Sequence, residues 1–133
     1  MTYFAFSDIL GDHQIAFGTE MVLTLENSDY FFQYGYLKNK IDYYFTAFQN
    51  ANFFQADYWS LARLRHYGIQ GIVSQPFSRY QRLDYGLSWH NINYSILEQA
   101  YNDFNQVQYF TTYSSTYSTV LPRVSYIYDN SVF

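Results

Sequence analysis

The sequence predicts an all-β fold: an antiparallel up-and-down meander of about seven strands, part of a transmembrane β-barrel, with a soluble β-sandwich as the alternative. Three observations predict it. Successive stretches alternate apolar and polar side chains, which gives a strand two unlike faces. Aromatic residues make up 24% of the chain, led by 17 Tyr, while charged residues make up only 14%, well under the usual quarter. The connections between strands alternate between short and long, as in outer-membrane barrels with short periplasmic turns and longer outside loops.

The clearest alternation runs from Gln81 to Asn93. Leu83, Tyr85, Leu87 and Trp89 share one face; Asp84, Gly86, Ser88 and His90 share the other. With Leu61 to Gln75 before it and Phe77–Tyr80 as the turn, this is a β-hairpin. Upstream, Thr2 to Ile9 is a first strand with Phe4 and Phe6 aligned, and Leu10-Gly11-Asp12 is a tight turn. His13 to Leu25 is a long second strand, with Ile15, Phe17, Thr19, Met21, Leu23 and Leu25 on one face. Such a length suffices to cross a bilayer at a tilt, which takes about 9–11 residues.

After the polar turn Glu26–Asp29, Tyr30 to Leu37 forms the third strand, with Phe32, Tyr34 and Tyr36 aligned. Lys38–Lys40 turns the chain into Ile41 to Gln49, the fourth. Asn50 to Ser60 is expected to be a loop whose Phe53, Phe54, Tyr58 and Trp59 sit at an interface. Tyr94 to Thr119, rich in Ser, Thr, Asn, Gln and Tyr, is expected to be a long loop with a short helix around Ile96 to Phe104. Leu121 to Tyr128 is the seventh strand, with Pro122 near its start. The short connections are thus Leu10–Asp12, Lys38–Lys40 and Phe77–Tyr80, and the intervening ones lengthen along the chain.

Several function classes are disfavoured. A net charge of −4 supplies no basic groove, so no nucleic-acid partner is expected. The chain has no cysteine, which removes disulfides and thiolate metal sites. No Gly-x-Ser-x-Gly, phosphate loop or dinucleotide fingerprint occurs. His13, His66 and His90 form no ligand pair at a recognised spacing, and Asp8, Asp12 and His13 read as turn chemistry. The strand carboxylates Asp8, Glu20, Asp42 and Asp84 read as lumen-facing polar residues, and Arg63, Arg65, Arg79, Arg82 and Arg123 could pair with Glu20, Asp42 and Asp84 inside a barrel. An enzyme is not expected, and no catalytic, cofactor-binding or metal-binding residue is assigned. Residues 1–133 form one domain.

Four stretches resemble a known family in the right order. They are Phe6 through His13, the aromatic strand leading to Leu37-Lys38-Asn39-Lys40-Ile41, Tyr67-Gly68 through Pro76-Phe77-Ser78-Arg79-Tyr80 to Leu87, and Leu121 through Ser131. Each resembles segments of bacterial barrel domains attached to TolB-like β-propeller repeats, which are similar to the bacterial surface antigen family. Asp84-Tyr85-Gly86 matches part of that family's lumenal strand signature, whereas its Arg-Gly-aromatic loop motif has no counterpart here.

The resemblance implies a segment of an outer-membrane β-barrel in a Gram-negative-type bacterium. It would be a membrane scaffold, with any transport, translocation or assembly role carried by the full-length protein. Its partners would be the lipid bilayer and the missing strands, from the same protein or from other copies. The start, Thr2 to Asp8, reads as a strand and not as a signal peptide, and no apolar run is long enough for a transmembrane helix. The chain is therefore expected to be a fragment of something longer. The rival reading is a soluble aromatic-rich β module binding carbohydrate or protein through Tyr58, Trp59, Trp89 and the Tyr94–Thr119 loop.

Overall fold

The computed structural model of the chain describes residues 2–21, 24–38, 40–101 and 106–128. They form one seven-stranded antiparallel sheet in simple sequence order. The strands are β1 (Thr2–Ser7), β2 (His13–Glu20), β3 (Asp29–Tyr36), β4 (Asp42–Asp57), β5 (Ser60–Pro76), β6 (Gln81–Tyr101) and β7 (Val107–Tyr128). Among the described residues the first and last strands do not pair, so the sheet is open. The all-β meander of seven strands is as the alternation predicts.

The lengths are not. β4 does not stop at Gln49 but pairs with β5 out to Asp57↔Ser60, leaving Tyr58 and Trp59 as the turn. Asn50–Ser60 is therefore a hairpin end and not a loop. The same holds for Tyr94–Thr119, where β6 and β7 pair from Gln81↔Tyr128 up to Tyr101↔Val107. Residues 96–101 are strand where a helix was expected, and the rest of that expected helix, 102–104, lies outside the described residues. A shift in register at Ile96/Leu97 lets β7 carry one extra residue there. The lengthening loops of the sequence reading are thus lengthening strands, 16, 17, 21 and 22 residues for β4 to β7.

β2 is shorter than its pattern. It ends at Glu20, where its pairing with β3 ends at Asp29, and the expected extension at 22–23 lies outside the described residues. Leu25–Asn27 makes a single 3-10 turn instead. Its backbone is held by Gln49, whose Nε2 donates to the Leu25 and Ser28 carbonyls at 3.0 and 3.1 Å. At the opposite end of the sheet, Gly11 closes the β1–β2 turn with φ 75°, a backbone conformation that favours glycine.

Side chains meet in rows across the sheet, because paired residues in a ladder point to the same face. The front face is the one carrying Phe17, Phe32, Ala47, Ile69, Trp89 and Val120, which form one such row. Next to it lies Ile15, Tyr34, Phe45, Gly71, Leu87 and Pro122, and then His13, Tyr36, Tyr43, Val73, Tyr85 and Val124. Phe4 and Phe6 extend the first two rows onto β1. The back face of the same stretch is mixed: one row is Ala16, Gln33, Thr46, Gln70, Ser88 and Leu121, flanked by Gln14, Gly35, Tyr44, Ile72, Gly86 and Arg123 on one side and by Gly18, Phe31, Phe48, Gly68, His90 and Thr119 on the other. No second sheet covers either face among the described residues, and Ala62 is the single fully buried apolar side chain there.

Candidate functional site

The front face changes character at one row. Beyond Phe17–Val120, towards the hairpin tips, comes Thr19, Tyr30, Gln49, Tyr67, Asn91 and Ser118. The next rows on β4 to β7 are Ala51, Arg65, Asn93 and Thr116, then Phe53, Arg63, Ser95 and Ser114. An apolar band thus gives way to polar side chains on the same face of the same strands. On the back face the change runs the other way. Gln70 and Ser88 give way to Leu64, Ile92, Ile96, Tyr94 and Tyr117. The two faces exchange polarity about halfway along β5 to β7.

The band is bare and edged with aromatic rings. Leu87, at its middle, is 59% exposed. On its short-turn side, His13, Tyr34, Tyr36 and Tyr43 form a cluster, with the His13 and Tyr36 rings 5.0 Å apart and His13 Nδ1 2.8 Å from the Tyr34 hydroxyl. On its tip side stand Tyr30, Tyr67 and Trp89, whose Nε1–H donates to Ser118 Oγ at 2.9 Å. Tyr and Trp suit such borders because the ring takes an apolar environment and the polar atom a wet one. On β7 the band runs from Val120 to Tyr128, nine residues. That is about 25 Å of strand and close to the roughly 9–11 residues that a tilted transmembrane strand needs.

The polar rows beyond the band contain orphaned atoms. Thr19 Oγ1, the Tyr30 hydroxyl, Arg65 Nε and Asn91 Nδ2 are buried without a hydrogen-bond partner among the described residues. All four lie on the front face, three in the border row and Arg65 in the next. An unmet buried polar group costs about 1–3 kcal/mol. Their neighbours are satisfied: Asn93 Nδ2 donates to Ser114 and Thr116, and Arg63 Nε donates to Ser95 at 3.2 Å.

The charged residues divide differently from the sequence reading. Arg82 does lie near Asp84, with Nε 3.7 Å from a carboxylate oxygen, and Ser74 donates to that same carboxylate on the back face. Arg123 shares this face and donates to Ser125. Arg63 and Arg65 do not join Glu20, Asp42 and Asp84. Their odd positions put them on the front face, where Arg63 Nη1 meets Glu26 at 3.3 Å and Asn27 at 3.2 Å. Arg65 reaches the same Glu26 at 4.0 Å and lies over the Tyr67 ring. Arg79 sits in the β5–β6 turn.

Among the histidines, His13 stands at the first turn, its backbone N–H donating to Asp8 Oδ1 at 3.2 Å. His66 and His90, which the sequence left apart, meet on the back face with Nε2 and Nδ1 3.0 Å from each other and rings stacked. His90 also contacts Ser88, and Phe48 stands edge-on to His66. Both occupy even positions of paired strands, and that shared phase was the available signal. Among the described residues no three His, Cys, Asp or Glu side chains converge. Tyr58 and Trp59 form an exposed T-shaped pair at the β4–β5 tip, and Trp89 belongs to the band well away from them. No family model matches the chain, and no curated protein or solved structure matches it.

Proposed function

We propose that this sheet is a membrane-spanning segment of an outer-membrane-type β-barrel, with its front face to lipid and its back face to a polar lumen. The observation that carries this reading is the apolar band itself. It follows the rows of the sheet across all seven strands, has aromatic borders, and is left bare by the fold. A chain with one fully buried apolar side chain among its described residues has no interior core to account for 24% aromatics, whereas lipid accounts for them. The short turns mark the periplasmic side and the long hairpins the outside. The protein acts as a scaffold, and further strands, from the same polypeptide or from other copies, close the two free edges.

Thiol labelling tests this directly, because the chain has no cysteine. Single cysteines replace Leu87 and Val124 in the band, Ser88 and Gln70 behind it, and Thr116 beyond it. In bilayers the two band positions should resist a charged maleimide and react with a lipid-soluble one. Thr116→Cys should react with both. Equal labelling of Leu87→Cys and Thr116→Cys by the charged reagent would overturn the membrane reading. A monomer that melts cooperatively without detergent would favour instead a binding module using the exposed Tyr58–Trp59 pair.

A further inference from the structure

The band, read as lipid-facing above, ends in a row that is not merely polar. We infer that Arg65, Tyr67, Asn91 and Ser118 form a front-face site for the phosphate of an anionic lipid headgroup. Asn91 is 5% exposed, yet its Nδ2 donor has no partner among the described residues, and neither has Arg65 Nε. Tyr67 pairs with Asn91 and Arg65 with Asn93, so the two orphaned donors sit on diagonal neighbours about 7 Å apart at Cβ. A tetrahedral phosphate spans such a gap. It asks only for donors, which is what an arginine and a carboxamide N–H₂ present.

Charge and position select the same ligand. Among the described residues, Arg63 and Arg65 are the only lysines or arginines on the front face of the strands. They share one carboxylate, Glu26. Two guanidinium groups against one carboxylate leave one positive charge over, on a chain whose net charge is −4. The attraction for an anion is therefore local to this patch. One row below are Trp89, Ile69 and Val120, where acyl chains would lie. A headgroup joined to chains on the band reaches Asn91 without added length, whereas a free anion would gain nothing from that adjacency. The site faces the hairpin end, so the lipid belongs to the outer leaflet.

Trp89 serves as the reporter. These 133 residues have two Trp; with Trp59 and any Trp of the further strands replaced by Phe, Trp89 stands alone beside the site. The full protein is placed in phosphatidylcholine vesicles carrying a minor fraction of brominated phosphatidylglycerol, or the same fraction of brominated phosphatidylcholine. Bromine quenches the indole of a tryptophan that it touches. The anionic lipid should show about a fivefold higher association at Trp89, the preference that one unneutralised basic side chain near a membrane surface contributes. Arg65→Gln should bring the two lipids to parity. Asn91→Leu, which leaves all charges in place, should lower the preference as well. Equal quenching by both lipids in the parent would overturn the headgroup site while leaving the membrane reading intact. Absence of quenching by either lipid would overturn the membrane reading itself. Loss of the preference on adding inorganic phosphate would assign the site to a free anion and overturn the lipid as occupant.

Discussion

Glycines mark where the sheet tolerates a side chain and where it does not. A Cβ on Gly68 would meet the Trp89 carbonyl oxygen and the Phe48 ring on the back face. The backbone of β6 cannot yield without breaking its ladder. Gly71, three residues on, faces the front, and a Cβ there meets nothing. Gly68→Ala should destabilise the protein by about 1–3 kcal/mol, the usual cost of overpacking. Gly71→Ala should be neutral or stabilise by up to about 1 kcal/mol, because it removes backbone freedom from the unfolded chain. Urea or guanidinium melts of the two variants in the same detergent would check the contrast. Equal losses would mean that the close approach at Gly68 has no energetic weight.

At the scale of the strand, the same substitution has unequal consequences in the two halves. Leu87 and Ser118 both lie on the front face, one in the band and one at its border. In lipid, Leu87→Arg should cost about 2–4 kcal/mol, and Ser118→Arg no more than about 1 kcal/mol. In water, with Leu87 already 59% exposed, both would be near neutral. Refolding titrations into bilayers would separate these cases.

The strands also explain what was legible in the sequence. The lower half of β6 reads cleanly because Leu83, Tyr85, Leu87 and Trp89 alternate in one phase. Above it, Ile92, Tyr94 and Ile96 alternate in the other phase. A strand whose apolar face changes sides looks like a strand that has ended, so Tyr94–Thr119 read as a loop. Asn50–Ser60 misled for a related reason, since Asn50, Asn52 and Gln55 are common in loops while their pairing with β5 is a long-range fact. The orphaned border atoms left no local signal. Thr19, Tyr30, Asn91 and Arg65 come from four strands, and only the register puts them in adjacent rows.

For the molecule as a whole, the open sheet leaves β1 and β7 as edges, with six and 22 residues respectively. β7 is by far the larger template for another strand. Pro122 lies on it, where a missing N–H that faces away from β6 is tolerated. Backbone N–H groups alternate between the two sides of a strand, so Val124 shares the direction of Pro122. Removed from any further strands, residues 1–133 should associate through this edge. Val124→Pro should weaken that association about fivefold, the equivalent of one net hydrogen bond of about 1 kcal/mol. Light scattering in detergent would measure the effect, with circular dichroism confirming that the ladder to β6 is kept. An unchanged association constant would place the contact on β1 or on a face.

The exchange of polarity halfway along the strands also constrains how such a chain can change in length. Trp89 and Ile92 stand three residues apart on β6, so the lower and upper apolar series differ in parity. One residue inserted or deleted between them would bring the two series into one frame. Leu83 through Ile96 would then form a single greasy stripe, and the other side of the strand would be wholly hydrophilic. Two inserted residues would leave the frame untouched and merely raise the hairpin. Drift in the length of these hairpins should therefore proceed in even steps, with single-residue changes confined to sites such as the Ile96/Leu97 irregularity, where a bulge absorbs the odd count.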